Sequence, residues 1–228
     1  MVFVLAIAAY VICSIPVAYL VAKWTRGIDL RKFGSGNVGS SNVLAATSKR
    51  WAVPVAIFDL GKGILAVLIA RWAGLGTASQ FVVGIAGIAG HNWPVFLNFR
   101  GGRGILTSLG VILAFSPLLG VLLAGVAYSF APFRQLSIGV FIALLLLPFL
   151  AYDFPHFFHI DDRGTVAIGL AALTAVAYVR RLLAGKRSDL AANLSTGELL
   201  INRLLFDRDI RDRKIWLSRS GNSSKAFS

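Results

Sequence analysis

Long apolar runs separated by short polar connections dominate this sequence. The runs cover residues 2–22, 51–72, 78–99, 105–131, 137–152 and 165–183. A helix needs about 20 apolar residues to cross a bilayer core, and none of the runs shows the period-two alternation of a membrane β-strand. No Lys or Arg precedes the first run, whereas a signal peptide has a basic start. The pattern therefore predicts an all-α, polytopic integral membrane protein with a retained first helix.

The run 105–131 is long for one crossing and short for two full ones. Ser116 and Pro117 lie near its middle, and a proline disfavours helical backbone at the residue before it. Two short helices around Pro117 would give seven transmembrane helices, whereas one crossing would give six.

The distribution of basic residues distinguishes these two topologies. The connection 23–50 carries six Lys and Arg against Asp29, and cytoplasmic loops are rich in such residues. Seven crossings place the tail, with eleven Lys and Arg from Arg180 onward, on that same side. They also place the acidic loop 153–162 outside. We therefore predict seven transmembrane helices, with the N-terminus out and the C-terminus in.

The composition supports the membrane class. Hydrophobic residues make up 57% of the 228-residue chain, and charged residues only 14%; soluble domains are about 45–50% apolar. Mean hydropathy is +0.74. Cys13 is the only cysteine, which excludes a scaffold of internal disulfides. The net charge is +13, and the basic residues lie between and after the apolar runs. This distribution indicates contact with anionic lipid and not with nucleic acid.

Two units follow from this pattern, a transmembrane domain at 1–184 and a basic cytoplasmic tail at 185–228. The tail's apolar and basic positions alternate as in an amphipathic helix that lies on the inner membrane surface. The alternative is a solvated extension without function. The apolar positions are Leu199, Leu200, Leu204, Leu205, Ile210, Ile215, Trp216 and Leu217, and the basic ones are Arg203, Arg208, Arg211, Arg213 and Lys214.

A glycine-rich polar loop, Gly-Ser-Gly-Asn-Val-Gly-Ser-Ser-Asn, occupies 34–42. Its glycines permit tight or left-handed backbone, and successive N–H groups in such loops form nests that bind anions. Short hydrogen-bonding side chains and nearby basic residues add to that capacity. A flexible polar loop is the alternative.

A second such loop lies at 90–104, where Arg100 and Arg103 bracket Gly101 and Gly102. Guanidinium groups suit phosphate oxygens, and a helix predicted to begin after Gly104 adds its N-terminal dipole. The predicted topology places both loops on one side. Anchoring of the helices by the positive-inside rule accounts for the arginines but not for the glycines beside them.

Three further polar features, one of them a pair of residues, allow two interpretations each. Asp59 and Lys62 lie three residues apart on one face of a span. They are either a functional pair or a structural ion pair, because charges inside a bilayer are costly. His91 either binds substrate or hydrogen-bonds the backbone near a span end. Ser137 either caps its helix or lines the site. The chain has no Gly-x-Ser-x-Gly motif.

Three motifs together resemble the bacterial integral-membrane glycerol-3-phosphate acyltransferases that use acyl phosphate, the PlsY family. They are Gly-Ser-Gly-Asn-x-Gly-x-x-Asn-Val at 34–43, Asp-x-x-Lys-Gly at 59–63 and Gly-His-x-x-Pro-Val-Phe-Leu-x-Phe-Arg-Gly-Gly-Arg-Gly at 90–104. The resemblance extends from residue 14 to about residue 185. It implies seven helices and an active site at the cytoplasmic side of the bacterial inner membrane, among membrane lipids.

The resemblance also implies the reaction. A fatty acyl group would pass from acyl phosphate to the 1-hydroxyl of glycerol 3-phosphate, giving lysophosphatidic acid and phosphate, without a metal or nucleotide cofactor. Catalytic residues would be Ser35, Asn37 and Asn42. Substrate-binding residues would be Gly36, Gly39, Lys62, His91, Arg100, Gly101, Gly102, Arg103, Gly104 and Ser137.

The sequence departs from the family pattern at four positions, Ala45, Ala175, Tyr178 and Arg187, where the family has Arg, His, Asn and Glu. Arg103 also stands where the family has a lysine. These departures leave open a catalytically degenerate paralogue that binds lipid phosphates or a partner enzyme. A small anion transporter is a third hypothesis, although transporters place their sites near the midplane and have internal repeats.

Overall fold

The computed structural model describes residues 1–185 and 187–218. Over these residues the chain forms helices and turns and no β-strand, which confirms the all-α prediction. Two 3₁₀ turns lie at Val95–Leu97 and Asp189–Ala191. The α-helices are α1 Val2–Cys13, α2 Val17–Arg26, α3 Ser40–Ala46, α4 Lys49–Trp72, α5 Thr77–Asn92, α6 Ile105–Phe115, α7 Pro117–Ser129, α8 Leu136–Asp153, α9 Arg163–Leu182, α10 Thr196–Phe206 and α11 Arg213–Ser218.

Four segments of the described chain are long and apolar enough to cross a membrane: Val2–Arg26, Lys49–Trp72, Leu136–Asp153 and Arg163–Leu182. Large apolar side chains on the outer faces of these and the shorter helices are exposed, which suits contact with lipid. Examples are Phe3, Ile7, Val121, Phe149 and Ile168.

Prolines interrupt two of the predicted helices. The run 2–22 is not one continuous helix, because α1 ends at Cys13 and α2 begins at Val17. Pro16 lies between them, and its ring nitrogen has no N–H to donate to a helical hydrogen bond. The run 78–99 is helical only to Asn92, since Pro94 follows and disfavours helical backbone at Trp93. Both predictions of one continuous helix were therefore wrong.

The predicted break at Ser116 is confirmed. Ser116 Oγ accepts the Leu119 N–H at 3.3 Å and thereby caps α7, while Pro117 occupies the first helical position. The same hydroxyl donates to the Phe158 carbonyl at 2.9 Å. At about 1.5 Å per residue, α6 and α7 are roughly 17 and 20 Å long, shorter than the roughly 30 Å bilayer core.

Glycines allow the helices to approach closely. Where α4 crosses α6, a methyl group added at Gly63 would overlap with the Thr107 carbonyl, and one at Gly110 would overlap with the Leu60 carbonyl. Small residues at helix crossings permit this backbone contact in membranes. The crossing sets the position of the first turn of α6, beside the second glycine-rich loop.

The basic tail folds back onto the helices. In α10, which contacts α8 and α9, Leu199 is buried as expected, but Arg203 is buried as well. The prediction that Arg203 lies on a polar outer face is therefore wrong. The side chains of Arg213 and Leu217, and residues 219–228, lie outside the part that the structure describes.

We predict that Gly63→Ala destabilises the protein by about 1–3 kcal/mol through overpacking, because the new methyl group meets the Thr107 carbonyl of α6. Gly61→Ala is the matched control, since nothing lies within 4 Å of the added atom. Thermal unfolding in detergent measures both. Equal midpoints for the two variants would contradict the close crossing.

Candidate active site

Asn42 organises the first glycine-rich loop from its position in α3. Its Nδ2 group donates to the carbonyls of Leu30, Phe33 and Asn37 at 3.2, 2.9 and 3.0 Å. Gly34 has a φ of 56°, and an added methyl group there would overlap with Asn42 Oδ1. The side chain of Asn42 is buried, so it holds the loop together from within.

The second glycine-rich loop is held from α9. Arg180 donates through Nε to the Gly102 carbonyl at 2.8 Å and through Nη2 to the Gly101 carbonyl at 3.0 Å. The Gly102 N–H donates to the His91 carbonyl at 3.1 Å. Gly104, with a φ of 69°, then leads into α6 at Ile105 as predicted. Arg180 thus fixes the loop through its backbone carbonyls.

A buried polar cluster lies beneath this loop. Lys62 Nζ is 2.8 Å from Asp59 Oδ1, 2.7 Å from His91 Nδ1 and 3.4 Å from the Cys13 carbonyl. The Asp59 and Lys62 side chains are each only 5% exposed. A methyl group on Gly102 would overlap with His91 Nε2. The cluster therefore joins α1, α4 and α5 and supports Gly102 from below.

The two loops and the tail enclose one cavity of about 580 Å³. The predicted convergence of the loops is confirmed. The residues that line the cavity are Arg31, Ser35, Gly36, Asn37, Trp93, Phe99, Arg100, Gly101, Arg103, Arg180, Leu183, Ala184, Gly185, Arg208, Asp209 and Trp216.

The other predicted site residues lie outside this cavity. Lys62 and His91 line a much smaller cavity, of about 10 Å³, which also touches Gly101. Gly39, Asn42, Gly102, Gly104 and Ser137 line neither of the two.

Ser137 does not cap its helix. The N-cap of α8 is Gln135, and no side chain caps that end. The Ser137 carbonyl instead accepts Nη1 and Nη2 of Arg181, both at 3.1 Å. The capping alternative is therefore wrong, because α8 begins at Leu136 and Ser137 already lies within its first turn.

Sequence reasoning missed the contributions of α9 and the tail. Arg180 follows an apolar run and looks like an ordinary basic anchor at a helix end, yet it is buried and holds the second loop. The tail residues Arg208, Asp209 and Trp216 are distant in sequence, and only the fold brings them to the cavity. In the sequence, only the pair Arg180 and Arg181 at the end of a span indicated that this end has a special role.

The cavity is strongly cationic. Five arginines line it against one carboxylate, Asp209. Burial raises the pKa of Asp209, but hydrogen bonds from Arg203 and the Ser188 N–H hold it below its ordinary value. A hydrogen bond from Arg31 likewise lowers the pKa of Asp29. Such a cavity attracts phosphate groups.

A metal site finds no support in the arrangement of ligands. Over residues 1–185 and 187–218, no three His, Cys, Asp or Glu side chains lie close enough together to hold a metal ion. The groups that could bind a ligand here are guanidinium and backbone N–H groups, and these bind anions.

Four of the positions that depart from the family pattern, Ala45, Ala175, Tyr178 and Arg187, do not line the cavity, whereas the fifth, Arg103, does. Ala175 is exposed, and the Tyr178 hydroxyl donates to the Phe141 carbonyl at 2.7 Å. Arg187 donates to the Ala191 and Ala192 carbonyls within the tail.

Glycerol-3-phosphate acyltransferases are among the proteins to which this chain is similar. A family model described as glycerol-3-phosphate acyltransferase matches residues 3–185. Glycerol-3-phosphate acyltransferase 4 of Dehalococcoides mccartyi (strain CBDB1) is 44% identical over 218 residues, which are 96% of this chain and 94% of that one. The enzyme of Thermoanaerobacter sp. (strain X514) is 39% identical over 186 residues, 81% of this chain and 93% of its own.

Among solved structures, the glycerol 3-phosphate form of PlsY, an integral membrane glycerol 3-phosphate acyltransferase, superposes with a TM-score of 0.71 at 29% identity. The match covers 100% of this chain and 99% of that one. Together with the apolar helices, this likeness identifies a multi-pass membrane protein. The family match spans most of the chain, and the chain therefore belongs to the glycerol-3-phosphate acyltransferase family.

Proposed function

We propose that the protein transfers a fatty acyl group from acyl phosphate to the 1-hydroxyl of glycerol 3-phosphate. The products are lysophosphatidic acid and inorganic phosphate. The observation that carries this proposal is the cavity of about 580 Å³ that both glycine-rich loops share, with five arginines on its wall. Both substrates bear phosphate groups, and both would find guanidinium partners there.

The proposed step is a direct acyl transfer. The hydroxyl oxygen attacks the carbonyl carbon, the bond from that carbon to the phosphate oxygen breaks, and the hydroxyl proton passes to a substrate phosphate oxygen. Holding two substrates in reacting geometry contributes on the order of 7–11 kcal/mol at best. The protein therefore acts mainly by positioning and by stabilising negative charge.

The first loop presents polar groups for this step. Ser35 and Asn37 line the cavity, and the Asn37 N–H donates to Ser35 Oγ at 3.3 Å. Asn37 Oδ1 is buried and has no hydrogen-bond partner within the described residues. In the proposal it accepts a hydroxyl of the glycerol moiety, because a buried acceptor gains from such a bond.

The second loop binds phosphate through Arg100 and Arg103. Arg103 Nε lies 2.7 Å from Asp207 Oδ1, which fixes the guanidinium from one side. Lys62 and His91, predicted to bind substrate, act in this proposal through Gly101, which lines both cavities. Asn42 acts in the same way, by holding the first loop in shape.

We also propose seven transmembrane helices with the N-terminus outside, the tail 185–228 in the cytoplasm, and residence in the bacterial inner membrane. The cavity supports the proposed number of crossings, since the loop before α6 and the tail after α9 both line it and must therefore lie on the same side of the membrane. An odd number of crossings between them would place them on opposite sides. The helices α6, α7, α8 and α9 make that number even.

Purified protein in liposomes is expected to release inorganic phosphate from palmitoyl phosphate only when glycerol 3-phosphate is present. Acyl-CoA and acyl carrier protein donors, run in parallel, are expected to give no product. Binding of glycerol 3-phosphate without turnover would favour the degenerate paralogue. Turnover with a thioester donor would overturn the proposed donor.

We predict that Ser35→Ala lowers kcat by about 100-fold, the order of effect that follows loss of one stabilising group in an acyl-transfer site. Ser41→Ala is the matched control, because Ser41 is exposed in the same loop region and does not line the cavity. Steady-state phosphate release measures both variants. Identical kcat values would remove Ser35 from the mechanism.

The proposed topology predicts the labelling of introduced cysteines by an impermeant maleimide. Asp161→Cys in the loop before α9 and Asp189→Cys in the tail are both exposed, and the native Cys13 is buried. We expect labelling of Asp161→Cys in right-side-out spheroplasts, and of Asp189→Cys only after permeabilisation. The reverse pattern would support six helices.

A further inference from the structure

One arginine on the cavity wall is nearly buried although it belongs to a long apolar helix. Arg180 lies in the last turn of α9, lines the cavity and is only 7% exposed. It lies outside the three motifs at 34–43, 59–63 and 90–104. Charged residues in membrane helices are costly, and they commonly form ion pairs or line the path of an ion or substrate. The groups around Arg180 distinguish these two roles.

Neutral groups hold the guanidinium of Arg180 in a fixed orientation. Besides its bonds to the Gly101 and Gly102 carbonyls, it donates through Nη1 to the Leu183 carbonyl at 3.1 Å. Its central carbon lies 5.9 Å from the centre of the Trp93 ring, within range of a cation–π contact. Within the described residues, these hydrogen bonds use three of the five guanidinium N–H groups. The orientation is thus set without neutralising the charge.

Three arginines share one carboxylate at this part of the wall. Asp207 forms an ion pair with Arg103, and both of these residues lie within electrostatic range of Arg180 and of Arg181. Among the described residues, Asp207 is the carboxylate whose charge acts on Arg180 and Arg181. Three guanidinium groups and one carboxylate carry a net charge of +2. The counter-ion is therefore present, but it does not balance the cluster.

This excess charge matches a phosphate monoester in sign and in size. Such a group carries a charge of about −1.5 to −2 at pH 7, and guanidinium groups bind its oxygens in pairs. The carboxylate that lines the cavity, Asp209, is itself bound by Arg203. Like charges repel strongly where water is scarce, so that a dianion between Arg103 and Arg180 would relieve their repulsion.

We propose that Arg180 is a substrate-binding residue whose guanidinium binds the same phosphate group as Arg103. Arg181 contributes charge behind them without contact, since it does not line the cavity. This inference rests on the proposed function and extends its phosphate site from the second glycine-rich loop to α9. Two substrates carry a phosphate, the acceptor glycerol 3-phosphate and the donor acyl phosphate. Their Michaelis constants are separable, so that kinetics identify which phosphate Arg180 contacts.

Arg180→Gln is expected to raise KM for one of the two substrates by about tenfold, the effect of losing a hydrogen bond between charged groups, with kcat nearly unchanged. Arg180→Lys keeps the charge and is expected to recover part of that loss. Arg181→Gln is the matched control, because it removes a guanidinium that is also buried and also bonded to carbonyls. We expect a much smaller change in KM there. Equal KM values for the two Gln variants would overturn the inference.

Thermal unfolding separates binding from support of the loop. If Arg180 only holds the loop carbonyls, the Gln and Lys variants lose stability and substrate affinity alike, without recovery by Lys, and the inference is overturned. If the wild-type protein has no turnover, the proposed function fails by itself. Titration calorimetry with glycerol 3-phosphate, and with inorganic phosphate, then still tests Arg180. We expect Arg180→Gln to bind about tenfold more weakly than Arg181→Gln; equal affinities, or no binding by the wild type, would overturn the inference.

Discussion

The buried contact between Lys62 and Asp59 is the interaction on which the site depends. Charges within apolar helices are stable only when they are paired, and Lys62 Nζ meets that requirement with Asp59, His91 and the Cys13 carbonyl. These partners come from three helices. The need to satisfy one ammonium group therefore fixes the relative positions of α1, α4 and α5, and with them the floor beneath Gly102.

The two glycine-rich loops are then held between this floor and α9. His91 supports the second loop from below, and Arg180 binds its carbonyls from the side of α9. The first loop is closed on itself by Asn42. Because the loops are fixed through backbone groups, their arginine and serine side chains remain directed to the cavity. Rigid placement of this kind is what a reaction driven by positioning requires.

The tail contributes to the cavity wall together with the two loops and the end of α9. A buried network around Arg203 and Asp209 holds this part of the tail against α9. The departures at Ala175 and Tyr178 lie away from this cavity. The cationic character of the site therefore draws on groups outside the family motifs, among them Arg180 and Arg208.

The sequence by itself determined the helical membrane class, the break at Ser116 and the two glycine-rich loops, because hydropathy, proline geometry and glycine-rich motifs are local properties. It also indicated that the loops meet, through the parity of the crossings. Only the tertiary structure decided which side chains reach the cavity. Asn42 and Arg203 became buried supports and Arg208 joined the wall, since these roles depend on contacts between segments that are distant in the chain. No local pattern encodes such contacts, so the tail resembled a surface helix until its buried hydrogen bonds were seen.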